Sequence, residues 1–259
     1  MHKIFSQILE AKKKRVKVLK KHQDTFLSLI KKAPATNSFK EAIKREGKIS
    51  FIAEIKQASP SAGVLRKDFS AIGIARLFKK AKADAISIVT EEDFFLGKIN
   101  YIEEVKKEVN LPILRKDFIF DEVQLLESKA VGADAVLLIM GVLNEEQLKK
   151  LYTFTKDLGM DALVEVHTEK ELKKVLKIGA DIIGVNSRNL HTFVVDLERQ
   201  KKLLPFIPER VVRISESGIK TLKDILLLKG LGADAVLVGE VLMREENLEE
   251  KLKELHIDT

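Results

Sequence analysis

Two features of the sequence predict an α/β protein whose parallel strands close into a (β/α)8 TIM barrel with an N-terminal helical extension. The first is alternation: eight short apolar runs are separated by amphipathic stretches of helical period. The second is a repeat. The strings KADAISIV from Lys82, GADAVLLI from Gly132, GADIIGVN from Gly179 and GADAVLVG from Gly232 start at intervals of 50, 47 and 53 residues. They precede the second, fourth, sixth and eighth apolar runs, so the repeating unit is two βα steps used four times. An eightfold barrel repeats in that way, and an open doubly wound sheet has no reason to. The length of 259 residues suits one such barrel, and no Pro/Gly/Ser-rich linker divides it. Residues 1–259 therefore read as a single domain, with residues 1–45 as the extension.

In chain order, residues up to about Arg45 read as helical, with Phe26, Leu27, Leu29 and Ile30 on an apolar stripe and Pro34 interrupting the segment. This extension is expected to cover one end of the barrel. Its basic run, Lys12 to Lys21, has no interleaved aromatic residues and reads as a solvated helix face rather than a nucleic-acid site. The expected strands are Phe51–Lys56, Ala85–Thr90, Pro112–Lys116, Ala135–Met140, Ala162–Val166, Ile182–Asn186, Val211–Ser215 and Ala235–Gly239. Helices are expected between them, among them Asp121–Val131, Asn144–Leu158, Glu169–Ile178 and Thr221–Leu231. Three of the four repeats open on a glycine able to end a helix, and each continues through a turn aspartate into a strand.

Composition narrows the function. The absence of cysteine excludes disulfides, thiolate metal sites and a thiol nucleophile. No run of eighteen apolar residues occurs, and the N-terminus lacks the pattern of a secretory signal. A cytoplasmic protein without membrane or nucleic-acid partners is expected, with no second enzyme fused after the eighth helix. The net charge of +7 suits an anionic ligand, while 33% charged residues also suit the ion-pair networks of a thermostable protein.

In such a barrel the chemistry sits at the C-terminal ends of the strands. Glu54 and Lys56 stand two positions apart at the first strand end and share a face. The small-residue loop Gln57 to Gly63 follows. Lys116 shares a face with Leu114, and Glu165 with Leu163 and His167. His167 is either a competing base or a residue oriented by the strand end. Ser217-Gly218 and Gly239-Glu240 follow the last two strands and precede helices, where backbone N–H groups hold phosphate in many barrels. Side chains at these two glycines are expected to block the backbone's approach to the anion. The remaining histidines, His2, His22, His191 and His256, form no cluster with aspartates, so no metal site is expected.

The motifs IAEIKQASPSAG, LRKDFIFD, LVEVHTEKEL, IGVNSRNL, ISESGI and VLVGEVLM occur in this order between Phe51 and Met243. Together with the extension they resemble the indole-3-glycerol phosphate synthase family of tryptophan biosynthesis. The chain departs from the family pattern in two places. Asn186-Ser187-Arg188 stands where two asparagines often precede the arginine, and Lys82 where a glycine is common. The resemblance implies a carboxy-lyase that needs no cofactor. Its substrate is the anionic phosphosugar 1-(2-carboxyphenylamino)-1-deoxyribulose 5-phosphate. Lys116 is implied as general acid and Glu165 as its acid/base partner in dehydration. Lys56 would hold the substrate carboxylate or share the acid duty with Lys116, and Glu54, Asn186 and Glu216 would orient sugar hydroxyls and lysines. Ser59, Ser217, Gly218, Gly239 and Glu240 would hold the phosphate, Phe95, Phe118 and Leu190 the aryl ring, and Arg188 would also bind substrate. A monomer is expected, with other enzymes of the pathway as potential partners. The residues alone leave open a Schiff-base aldolase using Lys56 or Lys116, or another phosphosugar enzyme on the same barrel.

Overall fold

A computed structural model describes residues 3–32, 36–189, 192 and 194–255. Eight parallel strands close on themselves: β1 (Ser50–Ile55), β2 (Ala85–Val89), β3 (Ile113–Lys116), β4 (Ala135–Ile139), β5 (Asp161–Val166), β6 (Ile182–Asn186), β7 (Val212–Glu216) and β8 (Ala235–Val238). The register closes through Ala53 opposite Val238 and Ile52 opposite Ala85. The expected strands lie within one residue of these bounds. Both faces of each strand are apolar because both are covered. Ile52, Leu114, Leu163, Ile182, Ile214 and Leu237 fill the lumen. Phe51, Ile86, Val136, Val164, Ile183 and Val236 pack outward under the helices.

The surrounding helices include α4 (Ala71–Lys80), α5 (Asn100–Lys106), α6 (Glu122–Ala130), α7 (Glu145–Asp157), α8 (Glu169–Ile178), α9 (Glu198–Leu203), α10 (Leu222–Gly230), α11 (Glu240–Arg244) and α12 (Leu248–Leu255). The sequence places the starts of α6, α7 and α10 one residue early because Asp121, Asn144 and Thr221 are their N-caps, each in a capping box. The repeat has a common geometric cause. Gly132, Gly179 and Gly232 all take positive φ, at 88°, 83° and 90°, and Lys82 takes the same left-handed conformation at 59°. The alanine after each donates its N–H back over the helix end: Ala83 to Phe78, Ala133 to Ser128, Ala180 to Val175 and Ala233 to Leu228. This is the Schellman closure, and it forces a lysine into a conformation made for glycine.

The extension is built of α1 (Lys3–Leu19), α2 (Gln23–Ile30) and α3 (Phe39–Ile43). Pro34 lies outside the described residues. The extension reaches both ends of the barrel rather than one. At the bottom, α3 drives Phe39 and Ile43, both wholly buried, into the N-terminal end of the lumen. The polar groups around them meet the repeat aspartates. Asn37 donates its backbone N–H to Asp134, Lys40 pairs with Asp181, Lys44 with Asp234 and Arg45 with Asp84. At the mouth, α1 lays Phe5 edge-on to Phe118, with ring centroids 6.0 Å apart.

The basic run is likewise not the uniformly solvated face that its composition predicts. Phe5, Ile8, Lys12, Val16 and Leu19 fall on one buried helical stripe. Lys12 is only 2% exposed and bridges Glu92 and Asp117, the latter already held by Arg115. Arg15 pairs with Glu92 and Glu127. Lys13 and Lys20 do face outward. Among the described residues no helix is long and apolar enough to cross a membrane.

Candidate active site at the barrel mouth

A cavity of about 720 Å³ opens over the C-terminal ends of the strands. Period-2 alternation aims Glu54, Lys116, Glu165 and Asn186 into it from β1, β3, β5 and β6. Lys56, just past β1, joins them and donates to Glu54 Oε1 at 2.5 Å. Lys116 is the hub. Its Nζ lies 2.7 Å from Glu216 Oε2 and 3.9 Å from both Glu54 Oε2 and Glu165 Oε2. Asn186 Nδ2 donates to Glu165 Oε2 at 3.0 Å, while its Oδ1 accepts the Arg188 backbone N–H.

Three carboxylates around one ammonium decide the protonation states. Burial alone would push Lys116 down, but Glu216, then Glu54 and Glu165, outweigh it and hold the ammonium above its usual range. Burial also acts against ionised Glu54, yet Lys56 and Lys116 overcome it and keep that carboxyl below its usual range. Glu216 moves the other way. Burial raises it, Lys116 offsets only part of that rise, and Glu165 and Glu54 add to it. Glu216 is therefore more ready than Glu54 to carry a proton, and its Oε1 is buried without a hydrogen-bond partner.

The cavity is also lined by Phe95, Phe118, Arg188, Ser217, Gly218, Gly239 and Glu240, as the sequence predicts. Phe95 and Phe118 stand in tilted contact, with ring centroids 6.5 Å apart, and form an apolar wall of the cavity. Glu91 folds the loop that presents Phe95, since its carboxylate accepts the backbone N–H groups of Asp93, Phe94 and Phe95. Burial nevertheless pushes the Glu91 carboxyl up. Two expected site residues stand behind the wall. Glu216 is wholly buried and touches Lys116 from beneath. Ser59 is buried in a short hairpin of Ala58–Ser59 with Gly63–Val64, its Oγ 3.5 Å from Ser61 Oγ, and does not line the cavity. Leu190 lies outside the described residues.

The two loop glycines also answer to a constraint the sequence does not show. A Cβ at Gly239 would sit 2.2 Å from Glu54 Oε1, so this glycine makes room for a site carboxylate. A Cβ at Gly218, whose φ is +82°, would meet Val195 and Leu197. Gly184 in β6 does for Glu216 what Gly239 does for Glu54, with a Cβ 2.1 Å from Glu216 Oε1. The start of α10 is occupied from within, because Asp224 accepts the N–H groups of Lys220 and Thr221. Lys220 and Arg244 also line the cavity and are not among the site residues expected from the sequence. The Lys in SGIK, next to the expected anion loop, was the available signal. Glu240 reaches back to Arg188 at 2.7 Å and to Arg244 at 3.2 Å. His167 is oriented rather than exposed: it is buried, with Nε2 3.2 Å from Glu165 Oε1.

A sequence model of the indole-3-glycerol phosphate synthase family matches residues 5–255. Indole-3-glycerol phosphate synthase of Thermoanaerobacter sp. is 48% identical over 243 residues, covering 93% of this chain and 92% of that protein. That of Endomicrobium trichonymphae is 47% identical over 257 residues, covering 97% and 99%. A mutant tryptophan synthase alpha-subunit from the hyperthermophile Pyrococcus furiosus matches in structure with a TM-score of 0.62. It covers 80% of this chain and 97% of that one at 16% identity, a likeness of fold alone.

Proposed function

Because the chain belongs to the indole-3-glycerol phosphate synthase family, we propose that the cluster around Lys116 is where it performs the family's ring closure. The enzyme converts 1-(2-carboxyphenylamino)-1-deoxyribulose 5-phosphate into indole-3-glycerol phosphate, CO2 and water. The observation that carries the site assignment is the hub itself: one half-buried ammonium ringed by three buried carboxylates, beside an apolar wall of the cavity.

In this reading the aryl ring packs against Phe95 and Phe118, and Lys56 meets its carboxylate. The carboxylate-bearing ring carbon attacks the ketone carbon while Lys116 protonates the oxygen. A strongly held ammonium suits that task, because the alkoxide it must quench is more basic than the carboxylates that hold it. CO2 then leaves. Glu165, held by Asn186, takes the proton released as the new ring becomes aromatic, and the hydroxyl departs as water with a second proton. Glu216 and Glu54 keep Lys116 aimed. The phosphate rests on the Ser217–Gly218 loop and the start of α11, near Lys220 and Arg244. A Schiff-base mechanism needs a neutral amine, and the carboxylate ring works against one at Lys116.

Glu165→Gln tests the division of labour. The amide still accepts from Asn186 but exchanges no proton, so single-turnover traces should show CO2 released faster than indole fluorescence appears. If both signals slow together, Glu165 acts in ring closure and its proposed role is wrong.

A further inference from the structure

Glu165 has two faces. Its Oε2 looks into the cavity toward Asn186 and Lys116, while its Oε1 is buried without a hydrogen-bond partner. What Oε1 faces is His167 Nε2 at 3.2 Å, which is also buried and without a hydrogen-bond partner. The contact is close enough for a proton to pass once either ring or carboxylate turns slightly into line. On its far side His167 Nδ1 lies 3.7 Å from Glu171 of α8, and Glu171 also accepts the His167 backbone N–H at 2.6 Å. The Glu171 side chain is 22% exposed, so the line Glu165–His167–Glu171 runs from the reaction side of the barrel to solvent.

The reaction needs such a line. The ketone oxygen leaves as water and takes two protons, while one is recovered from the methylene carbon beside the ketone. The departing carboxylate leaves its bonding electrons in the ring as CO2. Each turnover therefore draws one proton from solvent. With the substrate bound as proposed above, the ketone would stand between Lys116 and the mouth, and Glu165, 3.9 Å from the Lys116 ammonium, offers a route from the other side. We propose that His167 is a positioning and proton-relay residue, carrying that proton from Glu171 to Oε1 of Glu165. The proposal rests on the proton-handling role proposed for Glu165.

The groups around the imidazole support the assignment. Burial would lower its pKa, and Arg199 of α9 acts the same way, but Glu171 and Glu165 together raise it. The two carboxylates thus favour the protonated imidazole, the form that can pass a proton to Glu165. Lys116, beyond Glu165, is the acid that the proton finally replenishes.

Three variants test the relay. His167→Ala should lower kcat about tenfold with KM within about twofold, and added imidazole should restore much of the loss. His167→Asn, which can hydrogen-bond Glu165 but carries no proton, should stay slow and lose the part of the kcat–pH profile that follows the imidazole. Glu171→Gln should show a smaller loss in the same direction. The relay is overturned if His167→Asn keeps wild-type kcat and pH profile. It is equally overturned if His167→Ala loses activity that imidazole does not restore while Tm falls in step. Glu165→Gln separates the two assignments. If it delays indole formation while the His167 variants behave as wild type, only the relay fails. If it leaves the traces unchanged, the role of Glu165 fails first.

Discussion

At the bottom of the barrel Asp134 accepts the backbone N–H groups of Asn37 and Ile113 and pairs with Lys106. At the mouth, Glu165 and Glu216 each leave one buried oxygen without a hydrogen bond. Both ends bury carboxylates, but they treat them differently. The bottom matches each repeat aspartate with a cation, and Asp84, Asp134 and Asp234 also accept a backbone N–H near the start of the preceding strand, from Phe51, Ile113 and Arg213. The mouth places Glu54, Glu165 and Glu216 around Lys116, with Lys56 beyond, and this mismatch shifts pKa values in opposite directions. Satisfied charge fixes a fold, and unsatisfied charge held in place is available for chemistry.

The largest test of this contrast is Lys116→Met. It should lower kcat by about 10²–10⁴-fold. The three carboxylates lose the cation that holds them, so Tm should fall as well, and kcat is read per folded molecule. A variant retaining more than about a third of wild-type kcat would remove Lys116 as the principal acid.

Asp134→Asn is the counterpart at the bottom. Its side chain is wholly buried, and the amide abandons Lys106 and turns an NH2 toward a backbone donor. The cost should be about 3 kcal/mol, read as a fall in Tm of roughly 6–12 °C, with kcat per folded molecule unchanged. A large loss of kcat without loss of Tm would show that the two ends are not separate in function.

Gly239→Ala sharpens the boundary on the mouth side. If the glycine served only the phosphate, KM alone would rise. Its Cβ would instead strike Glu54 Oε1, so kcat should fall as well, by about tenfold, as Glu54 is pushed from Lys56 and Lys116. A pure KM effect would return the glycine to the anion site.

The smallest effect belongs to the repeat. Lys82→Gly relieves a left-handed lysine and should stabilise the chain by about 0.5–1 kcal/mol, with activity unchanged. Equilibrium unfolding in denaturant checks the sign. A destabilised variant would mean that the lysine side chain matters more than its backbone conformation.

The sequence by itself determined the barrel, because apolar runs on a βα period and a Gly-Ala-Asp repeat are local signals that survive without knowledge of neighbours. It also placed Glu54, Lys56, Lys116, Glu165 and Asn186 at one mouth, since strand alternation fixes which residue of each strand points inward. Only the tertiary structure decided what these groups do to one another. That Gly239 makes room for Glu54, that Glu216 lies beneath Lys116 rather than in the cavity, and that Lys12 is a buried strut all depend on partners distant in sequence. The same holds for His167: the sequence puts it two residues from Glu165, and packing turns its Nε2 onto the carboxylate's other oxygen. Periodicity assigns a residue to a face. Distance, burial and the charge of whatever stands opposite are properties of the closed barrel, because strand pairing and the extension bring those groups together only when the chain folds.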